Sequence, residues 1–367
     1  MATCGRGGAT SRSRSGAPAA NTVRWPSPSA WRPGCAPPSW RPSSSTGISD
    51  GSDVTPNRPA VVALGGGHGL AASLTALRHV SDRITAVVTV ADDGGSSGRL
   101  RREYDVLPPG DLRMALAALC DDSQWGLLWS DALQHRFAGN GPLGGHAMGN
   151  LLIVALWELL GDPVQGLDVV RRLLGARGRV LPMAAVPLHI SASVRGLDPL
   201  DPAAVSEVRG QAQVATTAGE VLEVRLDPAD PPACPETIAA VRGADWVVLG
   251  PGSWFTSVLP HLLVPELAAA LAQTSAKRLL TLNVQMQTTE TMGFTAARHL
   301  DVLAAHAPQL RLDAVLADPG VVDDRHLLEA AADRLGAELV VASVVATDRP
   351  KVHDVLRLAA AYRDIFS

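Results

Sequence analysis

AVVALGGGHGLAA, residues 60–72, decides how the rest of the chain is read. Val61, Val62, Ala63 and Leu64 form a short apolar run closed by glycine, the pattern of a strand buried on both faces. Gly65, Gly66, Gly67 and Gly69 have no Cβ, so the backbone around His68 can turn sharply and approach a ligand. From Leu70 the apolar spacing becomes helical, with Leu70, Leu74 and Leu77 on one face. Strand, glycine turn and helix start together favour an anion, because unpaired N–H groups and the helix dipole both attract phosphate. Gly67-x-Gly69-x-x-Ala72 fits the G-x-G-x-x-A fingerprint late in the turn, and a tight turn with no ligand would use the same residues.

Working outward, Ile84 to Val90 is β-branched and reads as a second buried strand, ending in Ala91-Asp92-Asp93-Gly94-Gly95-Ser96-Ser97-Gly98-Arg99. An acid at this place can hold a ribose hydroxyl. The Gly/Ser run that follows could instead form a second backbone nest for an anion, with the acids holding Mg²⁺ or simply solvated in a turn. Asp111 is expected as the N-cap of a helix carrying Leu112, Ala115, Leu116 and Leu119. Further helices are expected from Trp125 to Arg136, Ala147 to Leu160 and Val164 to Leu174. His146, Gly149 and Asn150, beside the start of the second of these, could read a ligand or act as caps.

Val186 to Arg195 and Val221 to Leu226 alternate as strands of an antiparallel insertion set away from the crevice. The α/β rhythm then resumes with strands at Asp245–Leu249, Arg278–Val284, Asp313–Ala317 and Glu338–Val345. Helices are expected at Ala296–His306, Asp324–Leu335 and Asp354–Ile365. The fold expected is therefore α/β: a doubly wound, mostly parallel, Rossmann-like sheet with a small inserted β-containing segment. In such sheets the loops at the carboxyl ends of the strands share one crevice, so segments 65–69, 91–99, 250–257 and 283–291 should converge.

Composition narrows the function. The net charge is −4, yet residues 1–58 hold seven arginines against Asp50 and Asp53, so the remainder is acidic and unsuited to general nucleic-acid binding. Lys277 and Lys351 are the only lysines, a coding bias that makes the arginine excess a poor sign of phosphate recognition. Cys4, Cys35, Cys120 and Cys234 lack metal spacing and form no disulfide framework, in keeping with a cytoplasmic location. No apolar run is long and clean enough to span a membrane.

Taken together, GGGHGL at 65–70, TVADDGGSSGRLR at 89–101, PPGDLR at 108–113, GHAMGNLL at 145–152 and LGPGSWFTSVLP at 249–260 resemble the YvcK family of gluconeogenesis factors, distant relatives of the CofD phospholactate transferases. The resemblance runs from about residue 59 to 360. It implies a cytoplasmic protein that binds UDP-N-acetylglucosamine and supports cell shape and wall synthesis on gluconeogenic carbon sources. By the same resemblance, Gly65 to Gly69 would hold the diphosphate, and Asp92, Asp93 and Ser96 would lie near ribose or phosphate. Asp111 and Arg113 fall within the shared PPGDLR block. His146, Gly149 and Asn150 would border the sugar, with Gly252, Ser253, Phe255, Thr256 and Asn283 opposite. His68, Phe255, Met286 and Val352 depart from the family pattern, where Thr, Tyr, Thr and Arg are usual, which would remove polar ligand contacts.

Two activities compete with a sensor that shows its liganded state to enzymes of amino-sugar or peptidoglycan-precursor synthesis. One is CofD-type transfer, to which Asp93, Arg99 and Arg113 would give electrostatic help together with Mg²⁺. The other is a nicotinamide-dependent dehydrogenase, which leaves the DDGGSSGRLR block without a task. No catalytic residue is assigned, no cofactor is required by the sensor reading, and a homo-oligomer is left open. Residues 1–58, rich in Ser, Pro, Arg, Gly and Ala, are expected to be a disordered or misassigned extension of a domain spanning 59–367. Such a composition cannot bury enough apolar surface to offset ordering entropy. Removing residues 1–57 should leave the melting temperature and ligand affinity nearly unchanged; a drop of several degrees in a thermal scan would contradict this.

Overall fold

The computed structural model describes residues 58–286 and 288–367, so the expectation for residues 1–57 lies outside the described residues. Three parallel strands, β1 (Ala60–Gly65), β2 (Arg83–Val88) and β3 (Arg179–Pro182), run outward in one direction. The chain then builds a separate antiparallel sheet from β4 (His189–Arg195), β5 (Val205–Arg209) and β6 (Glu220–Asp227), with β4 in the middle. It returns through β7 (Trp246–Leu249) on the free edge of β1 and continues with β8 (Lys277–Thr281), β9 (Ala314–Ala317) and β10 (Glu338–Val341). The seven-stranded order is β10-β9-β8-β7-β1-β2-β3, and every pairing is parallel. Strand order reverses between β1 and β7, where Val61 faces Trp246 and Leu64 faces Leu249. Open α/β sheets bind ligands beyond the carboxyl ends of the strands at such a reversal.

Position in the sheet explains the residue patterns. Both edges of β1 are paired and helices cover its faces, so every residue from Val61 to Gly65 is buried. In contrast, β4 alternates buried and exposed positions because only one face of the small sheet is covered. Helix α1 (Gly67–Leu77) buries Leu70, Leu74 and Leu77, the face the spacing predicts. Helices α2 (Gly95–Tyr104), α3 (Pro109–Ala118), α4 (Gln124–Gln134), α5 (Met148–Leu160) and α6 (Pro163–Leu174) follow between β2 and β3. The single-turn α7 (Gln211–Ala215) belongs to the insertion. The second half carries α8 (Pro235–Arg242), α9 (Pro265–Gln273), α10 (Ala296–His306), α11 (Arg325–Leu335) and α12 (Val355–Phe366). Fully buried Tyr362 on α12 shares its hydroxyl with Ser73 of α1 at 2.9 Å and Thr281 of β8 at 3.1 Å.

Several expectations need correction. The Gly/Ser run after Asp93 is helix α2 rather than a loop nest. Asp92 Oδ1 accepts the Gly94 N–H at 2.9 Å, and burial of Ser96, Ser97, Leu100 and Arg101 outweighs poor local helix propensity. Asp111 is not an N-cap: Pro108 holds that place, and the Asp111 carboxylate turns away to Thr89. After β7 the chain makes a π-helical turn, Trp254–Val258. Strands β3 and β5 and helices α8 and α9 lacked a legible pattern, and β10 stops at Val341.

The turns after β1 and β7 touch. A Cβ added at Gly69 would lie 2.3 Å from the Pro251 carbonyl oxygen and 2.8 Å from Gly252 Cα. Gly69→Ala should therefore push the two turns apart and destabilise the fold by about 1–3 kcal/mol, the usual penalty for overpacking a rigid neighbour. Urea unfolding measures this, and an unchanged midpoint would show that the contact is soft.

Candidate functional site

Gly66 alone connects β1 to α1, and Gly67 has φ +58°, a conformation that L side chains rarely adopt. The first helical turn thus begins directly beyond the sheet, its N–H groups past Gly67 having no partner within the helix. The glycine at 66 also admits two partners: a Cβ there would meet both Asp111 Oδ2 and Thr89 Oγ1 at 2.5 Å. Asp111 accepts from Thr89 Oγ1 at 3.0 Å and from the Gly67 N–H. Burial, and next the charge of Asp92, push its carboxyl up to about 6, against the opposing effect of these hydrogen bonds and Arg113.

A buried polar chain stands beside this acid. Arg113 Nε donates to Asn150 Oδ1 at 2.9 Å, and Asn150 Nδ2 donates to Ser96 Oγ at 3.0 Å. The Ala147 N–H also reaches Ser96 Oγ, at 3.4 Å. With two donors already on its oxygen, the Ser96 hydroxyl gives its proton to His146 Nδ1, 3.0 Å away. His146 is then a neutral ring with its own proton on Nε2, as burial and the charge of Arg99 favour by lowering its pKa. Gly149 serves packing, since a Cβ would lie 2.7 Å from Leu133 and 2.9 Å from Arg113. Asp92, Ser96, Asp111, Arg113, Arg136 and Asn150 line a cleft of about 230 Å³.

A second chamber, of about 420 Å³, opens on the other side of the glycine turn, with His68 and Gly69 in its wall together with Pro251 and Gly252. Asn283 pins this wall: its Oδ1 accepts the Gly252 N–H and its Nδ2 donates to the Gly252 carbonyl, both at 2.8 Å. The Ser253 and Thr256 hydroxyls are in contact, and Ser253 Oγ donates to Glu290 Oε1 at 2.6 Å. Phe255 is fully buried with its ring edge-on to Phe294, so it supports the wall from behind.

The four expected segments do converge, through Gly66 on Asp111, Gly110 on Asp92, Gly69 on Pro251 and Ser253 on Glu290. Asp93 is placed differently: its carboxylate accepts the Ala212 N–H of α7 at 3.1 Å and does not line the smaller cleft. The insertion was expected away from the crevice, yet α7 borders it. Gln211 Nε2 donates to the Thr256 carbonyl at 3.3 Å, and Ala215 lines the larger chamber. Glu290 escaped notice as a site residue because its isolated acid, 37 residues from Ser253, forms no local motif. A cavity of about 610 Å³ at the opposite ends of the strands, lined by Arg83, Arg177 and Arg179, is remote from the reversal point. Among the described residues no group of three His, Cys, Asp or Glu side chains is placed to hold a metal ion. Among them, too, no single helix is long and apolar enough to cross a membrane.

The crevice at a sheet's switch point is where open α/β proteins bind their ligands. The chain belongs to the CofD family, whose model, described as 2-phospho-L-lactate transferase CofD, matches residues 61–358. Within it the chain groups with the gluconeogenesis factors. It is 55% identical over 303 residues to the "Putative gluconeogenesis factor" of Mycobacterium tuberculosis, covering 82% of this chain and 88% of that protein. It is 38% identical over 267 residues to the Gluconeogenesis factor of Bacillus subtilis, covering 73% and 81%. A crystal structure of a UPF0052 family member from Bacillus halodurans superposes with a TM-score of 0.73 at 34% identity, covering 82% of this chain and 97% of that one.

The raised carboxyl of Asp111 makes a stability prediction. Its folded pKa, about 6, lies above its ordinary value of 3.8, so the folded state binds the extra proton between these limits. Stability contributed by Asp111 is thus lost as pH rises from about 4 to 6. Asp111→Asn should be more stable than wild type at pH 7.5 by about 1–3 kcal/mol, with the gap closing below pH 4. Urea titrations at the two pH values test this; equal stability at pH 7.5 would refute it.

Proposed function

We propose that the chain binds a nucleoside diphosphate sugar, UDP-N-acetylglucosamine, and acts as a non-catalytic regulator in the cytoplasm. The observation that carries this is a chamber walled by His68 and Gly69 at the start of α1, with a second cleft tied to the same turn through Asp111, which accepts the Gly67 N–H. A ligand with two bulky ends and a diphosphate between them fits that arrangement, with the phosphates on the helix N–H groups. The regulator reading is supported by the Ser96 oxygen, which already accepts from Asn150 Nδ2 and from the Ala147 N–H and so has its lone pairs engaged. The kinship with gluconeogenesis factors supports a role on gluconeogenic carbon; control of wall-precursor enzymes and cell shape is the output that this reading assigns to it.

The family model's name favours a second reading, transfer of a phospholactyl-type group. Asp92 and Asp111 suit that reading, because Mg²⁺ is commonly held by one or two carboxylates and completed by phosphates and water. Bound there, the ion would supply charge neutralisation at the phosphates, while Arg113 orients Asn150 behind it.

Calorimetric titration with UDP-N-acetylglucosamine, UDP, GDP and NAD tests the proposal. UDP-sugar should bind best and NAD weakly or not at all. Gly67→Val places a side chain in open space above the turn, on a backbone that disfavours it, and should abolish binding. Tight NAD binding without UDP-sugar binding would overturn the proposal. Turnover of a lactyl nucleotide would favour the transferase.

A further inference from the structure

Glu290 is the buried acid of the larger chamber, with 3% of its surface exposed. Its two oxygens are used unequally. Oε1 accepts from Ser253 Oγ and from the Trp254 N–H, each at 2.6 Å, and the carboxylate also accepts the Phe255 N–H. Oε2 is buried and, among the described residues, has no hydrogen-bond partner. Buried polar atoms are nearly always satisfied, and an orphan in a cavity wall marks a place where a ligand or water completes the bonding.

The surroundings define what can complete it. Asn283 has both side-chain atoms on Gly252, and the Thr288 and Thr291 hydroxyls bond each other at 2.9 Å. His353 Nε2 is held by the Leu282 carbonyl at 3.2 Å. Among the described residues no Phe, Tyr or Trp lines the chamber; its ring side chains are His68 and His353, the second already tied to the Leu282 carbonyl. It offers polar walls and an acceptor oxygen, which suits a hydroxylated or amide-bearing ring. On the opposite side of the turn, the His146, Ser96 and Asn150 side chains are bonded among themselves.

We infer that Glu290 selects the sugar: Oε2 accepts a hydrogen bond from a hydroxyl or amide N–H of the sugar, which lies in the Glu290 chamber rather than beside His146. This rests on the nucleotide-sugar reading and assigns the two ends of that ligand. Burial raises the Glu290 pKa, and a ligand donor at Oε2 would favour the ionised form by adding a hydrogen bond. A site built around such a bond discriminates strongly against an analogue that lacks the donor.

The test is calorimetric titration of the full chain, wild type and Glu290→Gln, with UDP, UDP-glucose and UDP-N-acetylglucosamine. Glutamine keeps an oxygen for Ser253, Trp254 and Phe255 and replaces Oε2 with an amide that cannot accept. The variant should bind UDP within about twofold of wild type and lose tenfold or more for at least one UDP-sugar. Equal losses for UDP and UDP-sugars would place Glu290 on the nucleotide and overturn the inference. So would unchanged sugar affinity, or a wild type that binds UDP as tightly as the sugars. Failure of wild type to bind any of the three would instead refute the nucleotide-sugar reading itself. If Glu290→Gln does not fold, wild type titrated with UDP-sugars missing single donors decides: one deletion must weaken binding at least tenfold, and none doing so overturns the inference.

Discussion

The constraint on which the crevice depends is the contact of two turns at the sheet's reversal point. The α-carbon of Gly69 sits where any side chain would strike the Pro251 carbonyl, so the start of α1 and the turn after β7 are fixed against each other. Because β1 and β7 are also paired from Val61–Trp246 to Leu64–Leu249, the crevice inherits the rigidity of the central sheet. The larger chamber is walled by this contact directly, and the smaller cleft adjoins the same turn through Asp111, which accepts the Gly67 N–H. Helix α12 reinforces the same region from behind, with Tyr362 bridging α1 and β8.

Around that wall the polar groups are arranged in closed chains. Arg113, Asn150, Ser96 and His146 satisfy one another on one side, and Thr256, Ser253 and Glu290 do so on the other. Satisfied networks of this kind fix the geometry of the side chains in them. Two groups break the pattern. Asp111 is held beside Asp92 in a buried place that disfavours its charge, and Glu290 keeps one oxygen unbonded. Both sit in cleft walls, which is where a binding protein gains by leaving a group poorly satisfied until its ligand arrives.

The inserted sheet takes part in the site rather than decorating it. Asp93 holds the start of α7, Gln211 joins α7 to Thr256, and Arg101 Nη1 donates to the Leu188 carbonyl at 2.6 Å just before β4. The second acid of the Asp92-Asp93 pair is thereby given a structural task distinct from the first. A residue that looks like a ligand contact by its neighbours in sequence is here a strut between two sheets.

The sequence by itself determined the α/β class, the buried central strand, the glycine turn and the segments that meet around it. Those features are written in local patterns: continuous apolar runs, glycine where the backbone turns, and helical spacing after it. Helix α2, the outer strand β3 and the one-turn α7 were decided by tertiary burial, which overrode weak or contrary local preference at Gly95, Ser96 and Ser97. The roles of individual side chains were likewise decided in three dimensions. Asp93 and Phe255 turned to supporting positions, and Glu290 entered the site across 37 residues of chain. A motif can say which backbone comes near a ligand, but the direction of each side chain depends on partners brought by other strands, and no local pattern encodes them.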